Sequence, residues 1–192
     1  MPFKNALLLL LVINLTTSAV AQKYLSAEKV EVSKKWNDIT FTSTKSFIDN
    51  ISEAKSLTFF SEILNDEVLQ AKLEREEMLT IFAVVDDAFM KIEEKSRDSI
   101  ISNKTITQSL VRYLTVPGRL DSHSLKMAVL KNGGTAHLST LNGQNLAIRE
   151  KDGNLQLIDS ENRTATIIAS DFYHKNGFFH IVDGLVFPTE EE

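Results

Sequence analysis

Leu79 to Phe89, LTIFAVVDDAF, and Asn176 to Pro188, NGFFHIVDGLVFP, are the two stretches whose reading decides the fold. Ile81 to Val85 is a short continuous apolar run with β-branched residues, the pattern of a buried strand. Asp86 follows where a helix N-cap belongs, its carboxylate placed to accept a free backbone N–H of the first turn. Asp87 adds negative charge at the positive end of the same helix dipole. Ala88, Phe89 and Ile92 give that helix an apolar stripe. The second stretch is apolar from Phe178 to Phe187 and predicts a buried final strand with His180 inside it.

Outward from these stretches the pattern divides into two halves. Upstream, Phe47, Ile48 and Ile51 fall at helical spacing, and Leu57, Phe60, Ile63 and Leu64 share one helical face. Val68, Leu69 and Leu73 continue after a break at Asn65-Asp66, and Glu74 to Glu77 reads as a solvated face. A further helix is predicted from Thr105 to Leu114, with Leu110, Val111 and Leu114 inward, stopping at the Val116-Pro117-Gly118 turn. Beyond it the period changes to two. Leu125 to Leu130, Thr135 to Leu141, Asn145 to Arg149, Leu155 to Ile158 and Thr164 to Ala169 read as short strands. Asn132-Gly133-Gly134, Asn142-Gly143 and Asp152-Gly153 supply turn chemistry between them. Helices followed by a β-meander predict one α+β domain with a sheet-based core, at residues 44–188.

The ends read differently. Lys4, an apolar run from Ala6 to Leu15 and the small-x-small tripeptide Ala19-Val20-Ala21 predict an export signal at residues 1–21, cleaved near Gln22. The run is shorter than the ~20 residues a spanning helix needs, so no membrane span is expected after its removal. What remains is roughly 170 residues, one ordinary domain. Residues 22–43 read as a leader or linker that docks on the domain edge, and residues 189–192 as an acidic tail. The chain carries a net charge of −5, one unit more negative once Lys4 is removed, which argues against a nucleic-acid partner. It has no cysteine, so thiolate chemistry and lipoprotein acylation are excluded, and an oxidising exterior is harmless to it. The expected location is therefore secreted, extracellular or periplasmic. Asn50, Asn103 and Asn162 each open a glycosylation sequon, relevant only in a host that uses them.

The spelling of three segments resembles the fasciclin-type domain. Thr80 to Phe89 is similar to the first signature of that family, T-V-F-A-P-T-N-D-A-F, through Phe82, Ala83, Asp87, Ala88 and Phe89, with Asp86 at the Asn position. Val84 and Val85 replace the usual Pro-Thr. Tyr113 to Gly118 resembles Y-H-V-V-P-G, keeping Tyr113, Pro117 and Gly118 but placing Leu114 where the histidine belongs. Asn176 to Asp183 resembles the second signature, N-G-V-I-H-V-I-D, through Asn176, Gly177, His180 and Asp183. The resemblance implies a wedge-like β-sandwich flanked by α-helices and a non-enzymatic adhesion role toward a cell-surface or matrix protein or a polysaccharide. Some animal members bind integrins through an Asp-Ile pair five residues before the Asn-Gly. Asp171-Phe172 holds that position here and is the candidate partner contact, with Asp capping a turn as the plainer explanation.

Reactive chemistry finds little support. His123, His137, His174 and His180 show no metal-ligand spacing, and His180 is expected to be a core histidine with its ring nitrogens bonded. There is no Gly-x-Ser-x-Gly elbow and no phosphate-cradling glycine loop. Adjacent Asp86 and Asp87 cannot both face one cleft as an acid/base pair. No catalytic residue, cofactor or metal is expected, and the remaining motif residues are read as structural. Two other readings stand beside adhesion: a carrier holding a small apolar ligand between sheet and helices, motivated by 11 phenylalanines, and an extracellular hydrolase using Asp or His.

Overall fold

The computed structural model describes residues 30–189. The export signal with its cleavage site, the first part of the leader and Glu190 to Glu192 lie outside the described residues. From Val32 onward the chain packs as one unit. It opens with a hairpin of β1 (Ser33–Trp36) and β2 (Ile39–Thr42), where Asn37 turns the chain at φ 51°. Helices α1 (Phe47–Ser52), α2 (Thr58–Leu64) and α3 (Glu67–Arg75) follow, then β3 (Leu79–Val84). Next come α4 (Asp86–Met90), α5 (Glu94–Ser102), α6 (Lys104–Tyr113), β4 (Thr115–Pro117) and α7 (Ser122–Lys131). The chain closes with β5 (Thr135–Ser139), β6 (Asn145–Lys151), β7 (Asn154–Ile158), β8 (Thr164–His174) and β9 (Gly177–Val182).

Short polar side chains start most of the helices. Ser46 and Asp49 form a reciprocal capping box on α1. Asp66 accepts from Leu69 N–H at α3, Asn103 from Thr105 and Ile106 at α6, and Asp121 from Ser124 at α7. Helix α5 buries no residue, so its sequence carried no apolar stripe to announce it.

Seven strands form one sheet in the order β4-β3-β9-β8-β7-β6-β5. The β3–β9 pair is parallel and every other pair antiparallel. Thr164 to Thr166 of β8 pair with β7, whereas Ile167 to His174 pair with β9, so one long strand serves both halves. Two register shifts between Ile167 and Phe172 bend it there. Leu141 N–H donates to the Thr115 carbonyl at 2.9 Å and draws the β5 end of the sheet back to the β4 end. The result is an α+β domain of the expected class: a mixed sheet folded upon itself, a small second sheet and helices.

Phe41, Phe47, Phe172 and Phe179 meet edge-on or stacked at centroid distances of 4.9 to 5.4 Å, and all are buried. Phe41 comes from β2, so the hairpin belongs to the packed domain rather than to a linker. Asn50 fastens it, its amide exchanging hydrogen bonds with the backbone N–H and C=O of Thr42 at 3.0 Å each. Asn50 is itself buried, with both amide ends engaged.

Three element assignments differ from the sequence reading. Leu125 to Leu130, read as a strand, lies in α7: Leu125 and Val129 are the inward pair at i, i+4, while Met127 and Leu130 face solvent. Strand β8 runs on through the bulge to His174 instead of stopping at Ala169. The final strand ends at Val182 rather than Phe187. Asp183 bends the chain by accepting Thr166 N–H at 2.7 Å, and at Gly184 a Cβ would lie 2.3 Å from the Thr164 carbonyl oxygen.

Candidate functional site

The two quoted stretches, nearly a hundred residues apart, lie side by side. β3 and β9 run parallel with Phe82 opposite His180, their rings stacked at 5.7 Å. Behind the turn that precedes β9, Asn176 donates to the Glu76 carbonyl at 2.8 Å and ties the end of α3 to the sheet. Gly177 is the one place on β9 where no side chain fits, since a Cβ would sit 1.8 Å from the Leu79 carbonyl oxygen.

His180 is fully buried with both ring nitrogens engaged. Nδ1 accepts Asp171 N–H at 3.2 Å, so the proton resides on Nε2, which donates to the Leu120 carbonyl at 2.8 Å. Burial pushes its pKa down, opposed by the Leu120 carbonyl and the carboxylates of Asp171 and Asp121. Thr80 continues this knot: its hydroxyl donates to the Gly118 carbonyl and accepts Leu120 N–H, both at 2.8 Å. Gly118 sits at φ 105°, which a side chain would strain, and its N–H donates to Met78. Pro117 is exposed at the end of β4. Tyr113 is buried, its hydroxyl 3.4 Å from the Asn145 carbonyl. Burial, reinforced by the Asp159 charge, pushes its pKa up to about 12.

Asp171 occupies the bulge at φ 59°. Its carboxylate accepts both the N–H and the hydroxyl of Ser122 at 2.6 Å, and the Ser170 hydroxyl at 3.1 Å. Burial raises its pKa, but the bonds from Ser122, the nearby His180 and Ser170 outweigh that and hold it below the usual carboxylate range. Asp171 therefore joins α7 to the bulge of β8. Phe172, the other half of the candidate contact, is a correction: it is 1% exposed, packed under Phe41 and against Phe179, and presents no surface to a partner.

Asp86 is a second correction. Val85 is the N-cap of α4, and Asp86 is the first residue of the helix. The Asp86 carboxylate instead closes the start of α2, accepting Phe59 N–H at 2.9 Å and the Thr58 hydroxyl at 2.8 Å. Leu57, the N-cap of α2, has no side-chain acceptor of its own, so the cap is lent across the fold. Phe89 is buried behind this contact, its ring 5.6 Å from that of Phe59.

Asp87 is exposed and has no internal partner among the described residues. It lines an open cleft of about 540 Å³, together with Trp36, Asn37, Lys55, Met90 and Ile168. The cleft lies between the hairpin turn, the approach to α2 and the start of α4. Asn37 and Lys55 likewise make no internal hydrogen bond or ion pair among the described residues. Nothing in the sequence announced this cleft, because its parts come from four separate segments.

Between α1, α3 and β3 lies a cavity of about 20 Å³, lined in part by Phe47, Leu73, Leu79 and His174. That is room for about one water, far below the ~300 Å³ of a small-molecule site. The phenylalanines that suggested a carrier pack against one another instead. His174 is buried there with neither ring nitrogen hydrogen-bonded. Burial takes its pKa down to about 4; Leu79, Asn176 and Phe178 favour the charged ring without reaching bonding geometry. Among the described residues no group of three His, Asp or Glu side chains is placed to hold a metal ion. No helix among them is long and apolar enough to cross a membrane.

Known proteins resemble this chain in sequence or in fold. Periostin of Homo sapiens is 22% identical over 155 residues, covering 81% of this chain and 17% of periostin. A fasciclin-like arabinogalactan protein of Arthroderma benhamiae is 28% identical over 159 residues, covering 77% of this chain and 37% of that protein. The chain thus spans well under half the length of either relative. Among solved structures, a domain pair from the insect cell adhesion molecule fasciclin I superposes with a TM-score of 0.54 at 18% identity, over 67% of this chain and 44% of that one. The fasciclin domain profile itself matches residues 55–188, taking in β3, β9 and the knot between them. On that match the chain belongs to the fasciclin domain family.

Proposed function

We propose that this chain is a secreted or surface-associated adhesion module that binds a cell-surface or matrix protein or a polysaccharide and performs no covalent chemistry. The observation that carries this reading is the fasciclin domain spanning residues 55–188, in a chain whose relatives and fold neighbour include periostin and an insect cell adhesion molecule. The geometry supports it. The signature side chains of Asp86, Asn176, His180 and Asp183 are spent on internal hydrogen bonds that hold the helices to the sheet. Asn37, Lys55 and Asp87 at the surface cleft make no internal hydrogen bond or ion pair among the described residues.

Retention of the purified chain on a panel of cell envelopes, matrix proteins and polysaccharides tests the reading, beside a heat-unfolded control. Saturable retention by the folded chain alone is the expected result. A blank across the panel, or equal retention of folded and unfolded chain, overturns it.

A further inference from the structure

We propose that the cleft at Trp36 is a saccharide-binding site that takes a neutral oligosaccharide, with the indole as stacking platform and Asp87, Asn37 and Lys55 as hydrogen-bonding partners. The proposal rests on the adhesion reading and names the chemistry of its ligand.

The ring is held firmly from behind. Trp36 stacks on Phe41 at 6.3 Å, and Phe41 is wedged edge-on against Phe172 and Phe179 in the core. Trp36 is mostly buried but keeps part of its surface exposed, and it lines the cleft. An indole fixed in this way loses little freedom when a flat ligand settles on it. At about 540 Å³ the cleft falls within the range of small-molecule sites, and it stays open to solvent, so a longer chain can run out of it.

The polar lining selects among occupants. Asp87 offers acceptors only, Lys55 donors only, and Asn37 both. None of the three has a partner to give up among the described residues. A pyranose carries C–H groups on one face and hydroxyls around its rim, each hydroxyl both donor and acceptor. It therefore meets the ring with its face and the three polar groups with its rim. A wholly apolar ligand would desolvate a carboxylate and an ammonium with nothing in return. A polyanion would meet Asp86 and Asp87 beside a single Lys55. Met90 and Ile168, 57% and 49% exposed, provide apolar rims that match the remaining C–H surface.

Trp36 is the only tryptophan in the sequence, so indole fluorescence reports on this cleft alone. The experiment titrates the full chain with cellohexaose, chitohexaose and mannohexaose, and with a collagen-type peptide for comparison, while following Trp36 emission. The expected result is a saturable change with at least one oligosaccharide. Asp87→Ala and Lys55→Ala, at unchanged melting temperature, should each weaken that titration by about tenfold, the loss of one charge-assisted hydrogen bond. Trp36→Phe, followed by calorimetry, should weaken it further. No saturable change with any of the three sugars overturns the proposal, as does saturation by the peptide alone or sugar binding indifferent to Asp87 and Lys55. Retention on the envelope and matrix panel is measured in parallel. Wild-type retention that Trp36→Phe leaves intact removes the saccharide cleft and keeps the adhesion module; absence of retention removes the module itself.

Discussion

The Asp86 carboxylate closes the first turn of α2 from a different element, so its removal leaves Phe59 N–H and the Thr58 hydroxyl unpaired at once. Asp86→Ala is expected to lower stability by about 1–2 kcal/mol, the cost of losing an N-cap. Asp87→Ala should change it by no more than about 0.5 kcal/mol, as for an exposed surface position. Urea denaturation of both variants checks the pair, and equal losses would contradict this division of labour. Gly177→Ala drives a methyl into the Leu79 carbonyl and should cost about 1–3 kcal/mol by forcing β3 and β9 apart. The same denaturation series reads that out. At this scale the sequence does not show to whom the motif residues bond. Adjacent aspartates look alike in a string, and only the packing of α2 against the start of α4 decides which one is engaged. The candidate contact at Asp171-Phe172 shows the same limit, because the bulge that turns Phe172 inward depends on β9 and the hairpin, not on neighbouring residues.

Among elements, the strands with strong local signals were legible and those defined by distant partners were not. β3, β5, β6 and β7 were readable from apolar runs and from Asn-Gly and Asp-Gly turns, and Asp152-Gly153 adopts the two positive φ values that such a hairpin turn needs. The strand reading of α7 failed because Leu125 and Val129 satisfy a period of two as well as i, i+4 spacing; the Asp121 cap was the signal that separates them. The β1–β2 hairpin was missed because two four-residue strands, SKKW and ITFT, leave only Trp36, Ile39 and Phe41 to mark the inward side, which Lys34 also shares. Its importance is testable. Phe41→Ala should cost about 3–5 kcal/mol, the range for deleting a buried phenylalanine, by opening the ring cluster around Phe172 and Phe179. A loss below about 1 kcal/mol in a thermal or urea melt would show that the hairpin is an appendage.

For the whole molecule, the α+β class and the fasciclin resemblance were legible because three motifs in fixed order constrain one topology, while the cleft, assembled from separate segments, was not. The buried histidines also set a stability profile. His174 titrates at about 4 in the folded chain against an ordinary 6.5, and His180 is shifted in the same direction. As pH falls through 6.5 the unfolded chain takes up protons that the folded chain refuses, so stability is full above that value and declines toward pH 4. His174 alone contributes on the order of 3 kcal/mol to that decline. Asp171, with its lowered pKa, adds a loss at still lower pH, as its carboxylate is protonated in the folded state. Melting curves of His174→Leu should be flatter between pH 6.5 and 4 than those of the parent chain, and an unchanged slope would show that His174 is not the buried base described here. The measurement that tests the account most directly pairs retention on the envelope and matrix panel with melting temperature, for the parent chain, Asp171→Ala and His180→Ala. The account predicts saturable retention that requires the folded chain, a lower melting temperature in both variants, and retention that returns to the parent level well below it. Absence of saturable retention by the folded parent chain, or retention abolished in either variant at an unchanged melting temperature, would contradict it.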